Sequence, residues 1–272
     1  MSAPLQDVKG FWEDAACGER LYLQGGDKEA YARQAAIRYA LEPMIPEFAE
    51  FDGHEGQRVL EIGVGLGADH QRWAEGGADL WGIDLTQRAI QRTSERFRLF
   101  GLRTRLLQAN MEELPFPGNF FDVVYAWGVV MATPTPERAV AEILRVLKPG
   151  GQALMMLYHH HSLVGYMLWT RYALMRLRPW TSLREIYATY LESPGMKAYT
   201  TDQAKGLLSG FENIETSIYL THADLLTSPA GQRHRGPLLG LARRLWPRWF
   251  FRHFMSGHGL FMTVKAAKPR PG

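Results

Sequence analysis

Three glycines within five residues, Gly63, Gly65 and Gly67, follow the short apolar stretch Val59-Leu60-Glu61-Ile62. Having no side chains, they let the backbone turn tightly and come close to a ligand, and a nucleotide-type cofactor suits such a turn. Asp84 lies 21 residues after Gly63, at the end of the next apolar run. There a carboxylate can accept hydrogen bonds from both hydroxyls of a ribose. The pattern does not select one cofactor. Gly63, Gly65 and Ala68 also satisfy the dinucleotide fingerprint G-x-G-x-x-G/A, so a nicotinamide oxidoreductase is a rival reading.

A second group of reactive types is Tyr158-His159-His160-His161. Histidine titrates in the range useful to a general base, so Tyr158, His159 and His160 are the catalytic candidates. Three adjacent histidines point in different directions and no Asp or Glu joins them, so no metal is expected. Tyr22, Tyr31 and Tyr199 are weaker candidates for the site. Arg38 can either pair with a ligand carboxylate or form an ion pair with Glu42, four residues on.

The elements that must carry these residues fall into an order. Residues 9 to 55 read as mainly helical, with Asp27 placed to cap a helix and Pro43 and Pro46 to end one, and the segment is expected to fold as a lid across the glycine turn. From residue 57 strands and helices alternate. Strand 57–62 leads to a helix stopped at Gly76-Gly77; LWGIDL is the second strand, followed by a helix opened by Thr86. RTRLLQAN, FDVVYAWGV and QALMMLYH are three more strands, the last two separated by the helix AVAEILRVLKPGG. Such alternation predicts a parallel sheet covered on both faces, with ligands at the carboxyl ends of the strands.

Beyond Tyr158 the alternation lapses. The stretch 159–180 reads as one long apolar helix stopped by Pro179; a helix over 202–211 and strands ENIETSIYLT and GLFMTVKAAK follow, with an Arg-rich apolar insertion over 223–256. The chain thus divides into a lid (1–55), a cofactor-binding core (56–158), a helical cap insertion (159–210) and a C-terminal part of the core (211–272).

Composition limits the partners. A single cysteine, Cys17, leaves no internal disulfide framework and agrees with a reducing, cytoplasmic setting, and no run of about 18 uncharged apolar residues is present to span a membrane. Nine of the 31 Lys and Arg residues lie beyond Asp224, where there is no acid, leaving 22 bases against all 28 acids in the first 224 residues. The basic excess therefore belongs to the tail, where a solvated helix face is the favoured reading. No nucleic-acid module is recognisable. The insertions around 163–175 and 237–251 are rich in Leu, Met, Trp and Phe, which reads as core or as a lipophilic pocket rim. A basic aromatic helix over Leu238 to Phe254 could lie on a membrane surface, a use the composition does not favour, and packing of a homodimer is a third use.

The stretch QANMEELPFPGNFFDVVYAWGVV at 108–130, followed by AEILRVLKPGG at 141–151, resembles the class I S-adenosylmethionine-dependent methyltransferases, most closely the small-molecule enzymes of the UbiE and methyltransferase-11 type. The likeness runs from about residue 57 to 158. A further likeness, to a bacterial subgroup, rests on Trp12-x4-Cys17-Gly18-Glu19 and on ESPGMKAYT at 192–200. The resemblance implies a Rossmann-like α/β fold with a mostly parallel seven-stranded sheet and an antiparallel last strand. It implies that S-adenosylmethionine is held by Glu61, Gly63, Gly65 and Gly67 around its methionine part. Asp84 would hold the ribose, Leu85 would lie against the adenine, and Asn110 would meet the adenine edge, helped by backbone groups at Met111 and Glu112. Trp127 is implied at the methionine amine; from the residues themselves, Tyr31 and Arg38 are further candidates for cofactor contacts and Tyr22, Met131 and Tyr199 for substrate contacts. Where related sequences often carry His-His-Thr, this chain has Met131-Ala132-Thr133, so any base there is absent.

The implied reaction is an in-line methyl transfer to a small lipophilic or aromatic molecule, which needs a base only if the acceptor keeps its proton. The non-enzyme alternative is a cofactor-binding scaffold or regulator of the same fold.

Overall fold

A computed structural model describes residues 3–228, 240 and 243–271. Its centre is one seven-stranded sheet. The strands are β1 (Arg58–Ile62), β2 (Asp79–Asp84), β3 (Arg105–Gln108), β4 (Phe121–Trp127), β5 (Leu147–Tyr158), β6 (Glu212–Tyr219) and β7 (Phe261–Ala267), and they lie side by side in the order β3-β2-β1-β4-β5-β7-β6. The first five run parallel. β7 runs antiparallel to both β5 and β6, as the resemblance implied. The order reverses beside β1, so the carboxyl ends of β1 and β4 border the crevice where open α/β sheets take ligands.

Period-two alternation builds two cores from one sheet. Val59 and Val123 face one side, with Leu80, Trp73 and Phe97; Leu60 and Val124 face the other, with Val140, Ile143 and Leu208. The first side is covered by α3 (Lys28–Leu41), α4 (Met44–Ala49), α5 (Ala68–Glu75) and α6 (Gln87–Phe100), after the short α1 (Leu5–Asp14) and α2 (Glu19–Tyr22). The second is covered by α7 (Pro136–Val146) and, beyond α8 (Leu163–Tyr172) and α9 (Leu183–Tyr190), by α10 (Thr201–Leu207). Caps stand where the residue types put them. Asp27 accepts from the Ala30 amide at 2.7 Å, Thr86 from that of Ala89 at 3.3 Å, and Thr200 and Gln203 form a reciprocal capping box.

Three elements differ from expectation. The apolar stretch after the histidines is not one helix: α8 ends at Tyr172 and a 3₁₀ turn, Leu174–Arg176, follows. The break needs no proline, because buried Ala173 leaves the helical track and Trp169 Nε1 closes the loop by donating to the Thr181 carbonyl at 2.8 Å. α9 forms inside a span that carried no helix expectation. In the basic stretch, residues 238, 239, 241 and 242 lie outside the described residues. The described part is interrupted at Pro247, whose missing N–H and ring oppose helix continuation, before α11 (Arg248–Phe254).

A third apolar cluster extends the fold past the sheet. Met156, Tyr158, Leu260 and Phe261, at the strand ends, pack with Val164, Leu168, Ile186, Tyr187 and Leu191. Asp224 ties this cap down. Its buried carboxylate accepts from the amides of Val164, Thr221 and Leu260, and its carbonyl accepts from Trp246 Nε1.

Candidate active site

The glycine turn has φ values of +80° at Gly63, +53° at Gly65 and +73° at Gly67, all in the region glycine alone enters easily. Each serves differently. A Cβ on Gly63 would stand 2.2 Å from Val129 Cγ1, and one on Gly67 would stand 2.9 Å from Thr93, so these two permit packing. A Cβ on Gly65 would meet nothing within 4 Å, because it would project into open space beside a large cavity.

That cavity measures about 390 Å³, within the range of roughly 300–1,000 Å³ common for small-molecule sites. Gly63, Gly65, Gly67, Glu61, Asp84 and Leu85 form part of its wall, with Asn110, Met111, Trp127 and Arg38. Asp84 is more engaged than the spacing alone indicated. Oδ2 accepts from the Gly65 amide at 3.2 Å, and Oδ1 accepts from the Thr86 amide at 2.9 Å and hydroxyl at 2.8 Å. Of about four acceptor positions on a carboxylate, one remains for a ribose hydroxyl rather than two. Asn110 Oδ1 accepts from the Glu112 amide at 3.0 Å, which leaves its NH₂ and one lone pair for an adenine edge.

Glu61 is buried and approaches His70 Nδ1 at 2.9 Å, while His70 Nε2 meets Thr104 Oγ1 at 2.7 Å. Burial, then the Asp69 charge, push the Glu61 carboxyl well above its ordinary range, and burial pushes His70 down to about 3. An acid held protonated beside a cavity can ionise when a cation arrives. A raised carboxyl pKa gives stability that is present below the unfolded value of about 4.3 and is lost as pH rises through the folded value. Glu61→Gln is therefore expected to melt about 2–4 °C above the parent at pH 8, the shift that about 1 kcal/mol brings at this size. At pH 5 the gap should be smaller, while affinity for a cationic ligand falls several-fold at either pH. Melts at the two pH values and calorimetric titration with S-adenosylmethionine check both halves.

Arg38 settles between its alternatives in an unexpected way. Its Nε and Nη2 donate to Asp69 at 2.9 and 2.6 Å, and Nη1 stands 3.4 Å from Glu42. Tyr39 and Tyr125 hydroxyls donate to the same Asp69 carboxylate at 3.0 and 2.9 Å. Burial alone would raise Asp69, but the Arg38 charge and these hydrogen bonds outweigh it and hold the acid below its usual range. Trp127 lines the cavity with its ring and donates from Nε1 to Glu42 at 3.0 Å. The N-terminal helix α3 is thus fastened to α5 and to the end of β4 beside the glycine turn.

Several other candidates lie elsewhere. Tyr31 is fully buried between α3 and α6, donating to Glu95 at 2.9 Å with the Arg96 guanidinium over its ring; it shares a face with Arg38 but sits two helical turns away, about 10 Å along the axis. His159 leaves the cavity because alternation along β5 turns it opposite to Tyr158, and its Nδ1 faces the Gly259 carbonyl at 3.3 Å. The strand ends there, so His160 no longer follows the alternation and its ring lies 6.0 Å from that of Tyr187. Burial lowers both imidazoles. Met131 is buried in the cap core and Tyr199 packs beneath it; neither lines the cavity, which Ala132 and Thr133 border instead. The Glu112 carboxylate turns to the start of α7, accepting from the Thr133 hydroxyl and from the Thr135 amide at 2.7 Å. Among the described residues no three His, Cys, Asp or Glu side chains are gathered to hold a metal.

Much of the remaining wall is apolar, with Phe11, Trp12, Tyr22, Val164, Leu168 and Phe261. Tyr158 is the one catalytic candidate that reaches it, and its hydroxyl donates to Glu192 at 2.6 Å. Burial and the Glu192 charge hold that phenol well above its usual range, so it remains a donor. Cys17 also borders the cavity. It is open to that space yet surrounded by protein, and burial, then the Glu192 charge, push its thiol up to about 12. Trp12-x4-Cys17 and the ESPG segment, 175 residues apart along the chain from Cys17 to Glu192, therefore meet at one cavity. Asp69 and Glu192 are the site residues that sequence reasoning gave no role, whereas the expected Arg38–Glu42 ion pair is present. An acid in the first turn of α5, two residues past the last glycine, was the available signal for Asp69.

These residues fit a nucleoside-type sulfonium cofactor. The turn leaves room where Gly65 lacks a side chain, Asp84 retains an acceptor position, Asn110 offers an amide, and Glu61 can neutralise a cation.

Comparison with known proteins points the same way. The family model described as a methyltransferase domain matches residues 60–155. The chain is 37% identical over 103 residues to a phosphatidylethanolamine N-methyltransferase of Cereibacter sphaeroides, a match covering 37% of this chain and 50% of that protein. It is 30% identical over 164 residues to a demethylmenaquinone methyltransferase of Tropheryma whipplei, covering 58% of this chain and 67% of that one. The matches thus span about half to two thirds of the length of these relatives. A solved structure of a phosphoethanolamine N-methyltransferase of Haemonchus contortus, in complex with phosphomonomethylethanolamine and S-adenosylhomocysteine, superposes with a TM-score of 0.55 at 20% identity, covering 86% of this chain and 52% of that one. At that identity the likeness shows the fold alone.

Proposed function

Because the chain belongs to the class I S-adenosylmethionine-dependent methyltransferases, we propose that it methylates a small lipophilic molecule in the cavity between the glycine turn and the cap. The observation that carries this reading is that one cavity is lined both by Gly65 and Asp84 and by Val164, Leu168, Phe11 and Phe261. Membership in the family removes the ground for a nicotinamide enzyme.

When bound, S-adenosylmethionine supplies a methyl group already activated by its positive sulfur. The protein's part is then to hold and to exclude. The glycine turn, Asp84, Leu85, Asn110 and Met111 would hold the nucleoside, Glu61 and Trp127 the methionine portion, and Arg38, clamped by Asp69, the lid over both. Apolar side chains on α1 and α8 exclude water from the acceptor and orient it at near-attack distance. The Tyr158–Glu192 pair is the polar group positioned to fix an acceptor hydroxyl or amine, and Glu192 can take its proton where one must leave.

The division into lid, core and cap follows from these roles, and the single cysteine agrees with a cytoplasmic enzyme. Two relatives support a lipophilic acceptor, being named for phosphatidylethanolamine and demethylmenaquinone.

The test uses S-adenosylmethionine labelled in its methyl group, offered with the organic and the aqueous fractions of a bacterial extract. Label is expected in the organic fraction, and Leu168→Gln should reduce it at least tenfold with calorimetric affinity for the donor unchanged. Label confined to the aqueous fraction would overturn the lipophilic acceptor. Donor binding with no label in either fraction would favour a cofactor-binding scaffold.

A further inference from the structure

We propose that the cap is a docking surface for an anionic lipid bilayer. The proposal goes beyond methyl transfer and does not depend on which molecule is methylated. Among the described residues, ten large hydrophobic side chains are prominently exposed, and eight of them belong to two short segments of the cap. The first segment is the loop after α8, with Leu174, Met175, Leu177 and Trp180; the second is Leu245 with Trp249, Phe250 and Phe254 on and before α11. Leu177 is 83% exposed and Trp180 79%. A soluble surface rarely concentrates its apolar side chains in this way without a partner.

The loop is held outward by its own contacts. Trp169 Nε1 closes it onto the Thr181 carbonyl, the Tyr172 and Tyr190 rings stack at 4.0 Å, and Arg176 lies over both rings at 5.1 and 5.9 Å. The second segment is fixed at the same anchor as α8. Asp224 receives the Val164 amide on its carboxylate and Trp246 Nε1 on its carbonyl, and Arg248 donates to the Leu225 carbonyl at 3.0 Å. Both segments are therefore outgrowths of one packed unit.

Charge selects the occupant. No acid occurs between Glu142 and Glu185, and none after Asp224. Arg171, Arg176, Arg178 and Arg184 are exposed around the first segment, and Arg244 and Arg252 around the second; among the described residues none of the six pairs with a carboxylate. A second copy of this chain applied to either segment by a two-fold axis would bring arginine against arginine. An anionic bilayer instead offers phosphate oxygens to the guanidinium groups and an interfacial layer suited to Trp, Phe and Leu, while arginine stems can lie along the apolar side chains.

The position also connects to the cavity. Val164 and Leu168 on α8 line it, and the exposed loop begins at Leu174, two residues past the end of that helix. A docked cap would thus hold the apolar wall of the cavity close to the lipid.

The experiment is co-sedimentation of the full chain with vesicles of phosphatidylcholine alone or of phosphatidylcholine and phosphatidylglycerol at three to one. At low salt, binding to the anionic vesicles should exceed binding to the neutral ones at least tenfold. Trp180→Ser/Trp249→Ser should lower it at least tenfold, and Arg176→Gln/Arg178→Gln should lower it and flatten its salt dependence, both with donor affinity unchanged as proof of folding. Equal binding to the two vesicle types, or Trp variants that bind like the parent, would overturn the proposal. So would absence of vesicle binding together with a dimer in light scattering that the Trp variants abolish, since the face would then be an interface between copies.

Discussion

Asp69→Ala is expected to lower stability by about 3–5 kcal/mol, the range for removing one partner of a buried ion pair and leaving the other charge behind. Three groups lose their acceptor at once. Arg38 donates twice to this carboxylate, and the Tyr39 and Tyr125 hydroxyls once each. Tyr125 is wholly buried, so water does not readily replace what it loses. Arg38 would turn to Glu42, but that acid already accepts from Trp127, and burial raises its pKa. Urea denaturation of three variants separates the causes. Asp69→Asn should lie between the parent and alanine, since an amide keeps one accepting oxygen. Arg38→Met in the Asp69→Ala background should recover part of the loss, because it removes the stranded charge. The pH dependence has a defined sign. Asp69 is held below its unfolded value of about 3.9, so its contribution is present above that value and fades as pH falls through the folded one. The parent should therefore lose stability faster than Asp69→Ala on acidification below pH 4. A variant as stable as the parent at pH 7 would mean that the clamp on α3 holds nothing.

The clamp also marks where the sequence stops being readable. The glycine turn and the strand apolar runs announce themselves locally, since a run of Val, Leu and Ile has to be covered on both faces and a string of glycines has to turn. Thr86 and Asp27 cap helices for reasons visible within three residues. Arg38 and Asp69 are 31 residues apart, and nothing local distinguishes an acid placed for a helix dipole from one that holds a buried guanidinium. The histidines fail for a related reason. Alternation predicts that only one of Tyr158 and His159 can face the crevice, but which one depends on the register of β5 against β7, where Tyr158 pairs with Phe261. The cap was opaque in a third way. Leu, Met and Trp at helical spacing read as core, and only the fold reveals that Leu163, Val164 and Leu168 are buried while Leu174 to Trp180 stand in solvent. Glu192 lay in view within ESPG, yet its partner Tyr158 arrives from the far side of α8 and α9.

Asp84→Ala is expected to weaken S-adenosylmethionine binding at least tenfold, equivalent to about 1.4 kcal/mol or more. One hydrogen bond to a charged acceptor accounts for about 1.5–3 kcal/mol, so the ribose contact alone reaches this size. The carboxylate does a second thing, because Oδ2 holds the Gly65 amide at the open corner of the turn. Without it the backbone segment that has to lie against the ligand is less fixed before binding. Stability should change far less than affinity. Burial raises the Asp84 pKa despite the hydrogen bonds from Thr86 and Gly65, so its carboxyl costs folding nothing below the unfolded value, where both states are protonated, and opposes it as pH rises through the folded one. Asparagine is the sharper probe. If its oxygen stays with the Thr86 amide and hydroxyl, its NH₂ faces the Gly65 N–H, donor against donor; if it turns, Thr86 loses its acceptor. Asp84→Asn should therefore resemble alanine rather than the parent in calorimetric affinity, although it is nearly isosteric. Unchanged affinity in Asp84→Ala would remove the ribose from this strand end. An asparagine variant with parental affinity would show that one acceptor suffices and that the turn needs no tether at Gly65.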